Sequence, residues 1–199
     1  MNYKTTLSGQ TFVFGSVKEV LAKAGEHKSG DVLAGVAAAS DRERIAAKMV
    51  LADMTLEELY ENPVAPYEED EVTRINIDGL NQKIYREMKG WTVGELREWL
   101  LAYENQEGKI IRLSHGLTAE MIAAVCKLMS NLDLIYGAQK IRVTARCNTT
   151  VGERGTMGTR LQPNHTTDQI DGITASLFEG LSYGCGDVLI GLNPVNDTI

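Results

Sequence analysis

The pattern of apolar and polar positions changes twice along this chain of 199 residues. Near the start, apolar residues alternate on both sides of Ser8-Gly9, which predicts a small hairpin of two strands, Tyr3 to Leu7 and Thr11 to Phe14. From Ser16 onward, apolar residues recur at intervals of three and four, which is typical of helices with one buried face. The chain is therefore expected to begin with a hairpin and continue with helices.

Polar residues that cap helices divide this helical part into segments. A hydroxyl directly before a helix accepts a hydrogen bond from a free backbone N–H group. Two of the capping threonines are followed three residues later by a glutamate, which is the spacing of a capping box. The predicted caps in this part are Ser16, Ser40, Thr55 and Thr92, and past Gly116 Thr118 is expected to cap a further, strongly apolar helix. We predict a mainly helical accessory region with a short hairpin over residues 1–115.

The segment Gly30 to Ser40 is composed almost entirely of small side chains. It lacks the G-x-G-x-x-G pattern and the Lys-Ser/Thr ending of phosphate-binding loops, so a phosphate site is the weaker interpretation. The small side chains favour a helix that packs closely against its neighbour.

The pattern after residue 116 predicts a β-α-β unit. A short strand around Met157 to Gln162 ends at Pro163, which cannot donate to a strand ladder. Thr166 or Thr167 is expected to cap the helix that follows. The run Asp187 to Leu192 is almost continuously apolar, which predicts a parallel strand buried on both faces. The apolar face of the intervening helix carries Ile170, Ile173, Leu177, Phe178 and Leu181.

Two such strands leave both edges of their sheet open. A stable domain does not leave an apolar helix and two sheet edges uncovered. We therefore expect the sequence to be an amino-terminal portion of a longer protein, or another chain to complete the sheet.

Three polar side chains stand at the ends of these predicted strands. Arg160 and Gln162 are two residues apart and share one face of an extended segment, and Asn193 follows the second strand. The carboxyl ends of parallel strands are where α/β folds bind ligands. A guanidinium and two amides suit a small ligand that carries an oxygen atom. In an alternative interpretation, Arg160 pairs with a structural carboxylate and the two amides cap loops.

Composition excludes several classes of protein. The formal net charge is −7 and no basic cluster is present, which argues against nucleic acid as the main partner. No apolar run reaches about 18 residues and residues 1–10 lack a signal-peptide pattern, so we expect a cytoplasmic protein. Cys126, Cys147 and Cys185 are far apart and odd in number, which favours reduced thiols over a disulfide framework or a metal site.

Several separate motifs together resemble one family. They are Gly30 to Ser40, Leu132 to Ala138, Asn148 to Gly152, Arg160 to Asn164, and Ile190 to Val195. In this order they are similar to the large subunit of ethanolamine ammonia-lyase, and the similarity extends along the whole chain.

The resemblance implies an α/β fold with a small, mainly helical N-terminal region followed by a (β/α)8 TIM barrel. Residues 116–199 would then supply only the first strands of the barrel. It also implies a radical reaction that uses adenosylcobalamin to convert ethanolamine into acetaldehyde and ammonia. The implied partners are a small subunit and further large subunits, and the implied location is a bacterial microcompartment in the cytoplasm. Cobalamin-contacting residues stay unassigned.

The resemblance also implies roles for the three strand-end residues. Gln162 and Asn193 would bind the substrate hydroxyl, and Arg160 would act in catalysis as a positive charge beside the rearranging and departing groups. Because ethanolamine is a cation near pH 7, carboxylates are also needed, and they are expected on later barrel strands.

Two other functions stay open at this point. The helical region could serve as a non-catalytic module for assembly or interaction. The barrel strands could instead belong to a small-molecule lyase or aldolase that uses no cobalamin.

Overall fold

The protein has an α/β fold, seen here in a computed structural model that describes residues 3–147, 149–164 and 169–192. The chain divides into two compact units, Met1–Ile141 and Arg142–Ile199. Helices dominate the first unit, and short strands with one long helix make up the second.

The first unit opens with the predicted hairpin. Strand β1 (Tyr3–Leu7) pairs with β2 (Gln10–Phe14) in antiparallel register. Ser8 and Gly9 connect them with φ angles of 50° and 80°, as in the type I′ turns that match the twist of paired strands. The hairpin prediction is confirmed.

Ten helices follow in the part of this unit that the structure describes. They are α1 (Val17–Lys23), α2 (Ser29–Leu33), α3 (Asp41–Asp53), α4 (Leu56–Glu61), α5 (Glu71–Asp78), α6 (Gln82–Met88), α7 (Val93–Leu101), α8 (Glu107–Ser114), α9 (Ala119–Leu128) and α10 (Asn131–Gln139).

The five helix caps predicted before residue 120 are confirmed. The Ser16 hydroxyl accepts a hydrogen bond from the Glu19 backbone N–H at 3.1 Å, and the four other predicted caps do the same at their own helices. Thr55 and Thr92 form complete capping boxes, because the carboxylate of the glutamate three residues later accepts a hydrogen bond from the backbone N–H of the cap residue.

A continuous apolar core fills the first unit. It joins the hairpin to the buried faces of α1, α3, α4, α6, α7, α8 and α9. Its largest fully buried side chains include Phe14, Leu51, Leu56, Leu96 and Met121. Helix α9 packs against α3 and α7, so the apolar helix after Thr118 lies in the core of this unit. The predicted start of a barrel at residue 116 stays a prediction.

The prediction of close helix packing over Gly30 to Ser40 is wrong. Helix α2 ends at Leu33, a side chain that is 88% exposed, and most of the following residues are exposed as well. Gly35 has a φ of 71°, the left-handed conformation that ends helices, and its N–H donates to the Val32 carbonyl at 3.0 Å. The segment is therefore a single helical turn and a loop.

The described residues of the second unit form two small sheets. Strands β3 (Ala145–Arg146) and β4 (Thr150–Val151) pair antiparallel. Strand β5 (Arg160–Leu161) is followed by helix α11 (Ile170–Ser182) and by strand β6 (Leu189–Ile190), which pairs with β5 in parallel. The predicted β-α-β unit is confirmed, and no sheet among the described residues closes into a barrel.

Two details of that unit differ from prediction. Thr166 and Thr167 lie outside the described residues, and the N-cap of α11 is Gln169, whose side chain makes no capping hydrogen bond. Leu189 and Ile190 are 48% and 47% exposed, so the prediction of a strand buried on both faces is wrong for this chain. The reason is that β6 has only β5 as a neighbour among the described strands.

No helix among the described residues is long and apolar enough to cross a membrane. Cys126, Cys147 and Cys185 are free thiols, and the first two are exposed.

Candidate functional site

Helix α11 covers one face of β5 and leaves the other face open. A Cβ atom at Gly180 of α11 would lie 2.4 Å from Cδ1 of Leu161, so this glycine lets the helix sit directly on the leucine. Side chains alternate along a strand, and Arg160 therefore projects from the face opposite α11. Gln162 follows β5 directly, at the two-residue spacing that repeats a side-chain direction in extended backbone.

The Arg160 guanidinium lies against Gly191. A Cβ atom at Gly191 would be 2.7 Å from Nη2 and 3.1 Å from both Cζ and Nε. The register partner of Arg160 is Leu189, two residues earlier. At about 3.3 Å per residue, the guanidinium is thus carried about 7 Å along the sheet toward the carboxyl ends of the strands. This is the end at which α/β folds bind ligands.

Arg160 is exposed, and its side chain makes no ion pair or hydrogen bond with any other described residue. Gln162 is also exposed, although it interacts within the structure, as does the buried Asn164. Asn193 lies outside the described residues; Gly191, two positions before it, is the described part of that strand end. The structure therefore brings Arg160 to the end of β6 that leads to Asn193.

Sequence reasoning missed a polar cluster at the opposite, amino-terminal ends of the same strands. Asp187 accepts hydrogen bonds from the Thr159 backbone N–H at 2.8 Å and from the Thr159 hydroxyl at 2.7 Å, both on Oδ1. Its Oδ2 accepts a hydrogen bond from the Thr149 hydroxyl. The Thr159 hydroxyl in turn accepts from the Gly186 N–H at 3.1 Å. We call Thr149, Thr159 and Asp187 the strand-start cluster.

These bonds hold Asp187 in its ionised form. Donation from Thr149, then from the Thr159 hydroxyl and backbone, lowers the pKa of the Asp187 carboxyl to about 2. Hydrogen bonds to a carboxylate stabilise the charged state, which is the cause of the shift. The only sequence signal for this cluster is a polar residue shortly before each strand, which is too common to identify it.

The chemistry available at the open face is that of a positive donor. A guanidinium offers fixed N–H donors for an oxygen atom or a developing negative charge. The Asp187 carboxylate bonds to Thr159, directly before β5, and its oxygens are occupied by the two threonines. No group of three or more His, Cys, Asp or Glu side chains among the described residues is arranged to hold a metal ion.

Comparisons with known proteins agree on one family. The family described as Ethanolamine ammonia lyase large subunit (EutB) matches residues 12–199. Curated proteins named ethanolamine ammonia-lyase large subunit, from Escherichia coli strain K12 and Salmonella typhimurium strain LT2, are each 52% identical over 199 residues. The similarity covers 100% of this chain and 44% of each relative, so the chain spans less than half the length of the relatives that it matches. The chain belongs to the ethanolamine ammonia-lyase large subunit family.

Proposed function

We propose that this chain is an amino-terminal portion of the catalytic subunit of an adenosylcobalamin-dependent ethanolamine ammonia-lyase. That enzyme converts ethanolamine into acetaldehyde and ammonia. The observation that carries the proposal is the 52% identity to ethanolamine ammonia-lyase large subunits along all 199 residues. A structural observation also supports the proposal: the exposed Arg160 guanidinium lies at the carboxyl ends of two parallel strands.

The proposed architecture is the start of a (β/α)8 barrel. The β5-α11-β6 unit has the parallel pairing and the helix-covered outer face that such a barrel repeats. In this arrangement the face of β5 that carries Arg160 is the barrel interior. Further strands would then cover the exposed face and edge of β6.

In the proposed site, Arg160, Gln162 and Asn193 bind and orient the substrate. The amides of Gln162 and Asn193 hydrogen-bond the hydroxyl of ethanolamine. The Arg160 guanidinium places a fixed positive charge beside the group that migrates and leaves, where it stabilises negative charge that develops during rearrangement. A charge-assisted hydrogen bond of this type contributes about 1.5 to 3 kcal/mol when water is excluded.

The substrate ammonium requires acidic groups that the described residues do not place at this face. Arg160 repels a cation, and the Asp187 carboxylate is held by threonines at the other ends of the strands. The carboxylates must therefore come from elsewhere in the complete enzyme. We expect the 199-residue chain alone to be inactive.

The proposed cofactor, adenosylcobalamin, follows from membership of the family. When bound, adenosylcobalamin supplies the carbon radical that removes a hydrogen atom from the substrate. The described residues do not by themselves fit a corrin ring, since the second unit offers two-residue strands and a largely exposed surface rather than an enclosed apolar cleft. No described residue is assigned a cofactor contact.

The proposed partners and location follow from the same family membership. The large subunit would associate with a small subunit and with further large subunits, in the cytoplasm and within a bacterial microcompartment. Co-purification of tagged large subunit with the small subunit, and fractionation of cells grown on ethanolamine, test these two points.

The decisive experiment uses the full-length large subunit with its small subunit. Acetaldehyde and ammonia are measured after addition of ethanolamine and adenosylcobalamin. Arg160→Ala is compared with Arg154→Ala, which removes another exposed arginine of the second unit. We expect Arg160→Ala to abolish most turnover with intact assembly, and Arg154→Ala to retain it.

Three results would contradict the proposal in different ways. A complete complex that forms no acetaldehyde from ethanolamine is not this lyase. Product formation that is independent of adenosylcobalamin would indicate a cobalamin-independent lyase. Unchanged turnover of Arg160→Ala together with loss of the oligomer would indicate an assembly role.

A further inference from the structure

The strand-start cluster connects three separate segments of the second unit through one carboxylate. Asp187 is 38 residues from Thr149 and 28 residues from Thr159 along the chain. Thr149 directly precedes β4, Thr159 directly precedes β5, and Asp187 lies two residues before β6. The carboxylate therefore joins the beginnings of three strands.

The cluster also lies next to the residues that set the register of Arg160 against β6. Thr159 is the neighbour of Arg160, and its backbone N–H is held by Asp187 Oδ1 at 2.8 Å. Leu189, two residues after Asp187, is the register partner of Arg160. A parallel pair of only two residues on each strand has few ladder bonds to resist a shift in register. The bond between Val188 N–H and the Thr159 carbonyl is long, at 3.3 Å.

An ionised carboxylate accepts a charge-assisted hydrogen bond from each of these donors. Oδ1 accepts both Thr159 donors and Oδ2 accepts the Thr149 hydroxyl, so each oxygen faces an N–H or O–H group. An asparagine could keep the Thr159 bonds on its oxygen only with its NH2 group beside the Thr149 hydroxyl, and its bonds would be neutral and weaker than those of the carboxylate. The low pKa of Asp187 keeps the carboxylate charged throughout the neutral range.

We propose that Asp187 is a positioning residue for the reaction of the ammonia-lyase, which acts through Thr159 to hold the Arg160 guanidinium against Gly191 at the mouth of the site. The proposal rests on the proposed function for its catalytic readout. Its structural basis is the strand-start cluster itself. Asp187 contacts no substrate in this account, because it lies at the amino ends of the strands and the site lies at their carboxyl ends.

The first test measures kcat and KM of the full-length complex with ethanolamine. Asp187→Asn and Thr159→Val are expected to lower kcat about tenfold with a smaller change in KM, since a misplacement of about 1 Å lowers rates by up to about a hundredfold. Thr159→Ser keeps the hydroxyl and should restore the rate to within about twofold of wild type. Asp171→Asn, which makes the same chemical change in the first turn of α11, should leave kcat unchanged.

A double-mutant cycle separates positioning from general stabilisation. In an Arg160→Lys background the guanidinium is already lost, so Asp187→Asn should lower kcat less than twofold further. A full, multiplicative loss in that background would overturn the proposal. So would equal kcat values for Thr159→Val and Thr159→Ser, or a wild-type kcat for Asp187→Asn.

Hydrogen exchange tests the structural basis without relying on turnover. In the same full-length protein, Asp187→Asn should speed exchange in peptides covering residues 157–162 and 187–192, whereas Asp171→Asn should not. Unchanged exchange in Asp187→Asn would overturn the cluster's role in holding the strands. Absence of lyase activity in the wild-type complex would instead overturn the proposed function, and the exchange result would still stand on its own.

Discussion

Gly191→Ala is the substitution that most directly tests the placement of Arg160. The new methyl group would lie 2.7 Å from Nη2 and 3.1 Å from Cζ and Nε of the guanidinium. Ordinary contact begins at 3.4 Å, so Nη2 must retreat by about 0.7 Å. The guanidinium is the mobile end of an exposed side chain, and it will move in preference to the strand backbone.

The expected effect is catalytic rather than structural. A displacement of about 1 Å in a reacting assembly can lower the rate about a hundredfold, so 0.7 Å should lower kcat by about ten- to a hundredfold, or about 1.4 to 2.7 kcal/mol in the activation free energy. The φ angle of Gly191 is outside the left-handed range, so alanine adds no backbone strain. The free energy of unfolding should change by less than about 0.5 kcal/mol.

The assay is steady-state turnover of ethanolamine by the full-length complex, with thermal unfolding measured on the same samples. Gly172→Ala on α11 is the matched control, because a Cβ atom there meets nothing within 4 Å. A wild-type kcat for Gly191→Ala would refute the placement of Arg160 at this glycine. A large loss of stability with an unchanged kcat would show that the strand backbone moves to accommodate the new methyl group, and not the guanidinium.

Three further predictions concern stability. Gly158→Ala places a Cβ atom 2.0 Å from Cγ2 of Val188, so it should destabilise the second unit by about 1 to 3 kcal/mol in chemical unfolding, and Val188→Ala should recover much of that loss. Thr92→Ala removes the cap of α7 and should cost about 1 kcal/mol by the same measurement, with Thr156→Ala as a control away from any helix start. The pKa of Asp187 is lowered from 3.8 to about 2, so its hydrogen bonds contribute stability above about pH 4 that is lost as the pH falls toward 2. Unfolding of the second unit followed between pH 5 and 2 should show this loss in wild type and not in Asp187→Asn; equal pH dependence in both proteins would contradict it.

The sequence predicted those features that short segments determine by themselves. Ser8-Gly9 fixes a hairpin turn, and Thr55 and Thr92 fix helix starts, because each uses bonds within a few residues. Burial depends on neighbours instead. The apolar run that contains β6 indicated a strand correctly, yet Leu189 and Ile190 are half exposed because only one described strand flanks them.

Those parts of the candidate site that depend on local spacing were also predictable from the sequence. Two-residue spacing along an extended segment is visible in the sequence, and it led to Arg160 and Gln162. The contact between Arg160 and Gly191 depends on the register of two strands, and the Asp187 bonds span 28 and 38 residues. Neither is encoded in a local pattern. The roles of Arg160, Gln162 and Asn193 stay predictions until the variants are measured.

Among the described strands β6 pairs only with β5, and this edge and the exposed apolar side chains of α11 also affect how the 199-residue polypeptide behaves in solution. Ile170 and Phe178 face solvent, and the free backbone groups of a strand edge can pair with another molecule. We expect concentrated preparations to self-associate through this unit and to precipitate on warming. Adding the separately expressed remainder of a related large subunit should prevent this precipitation.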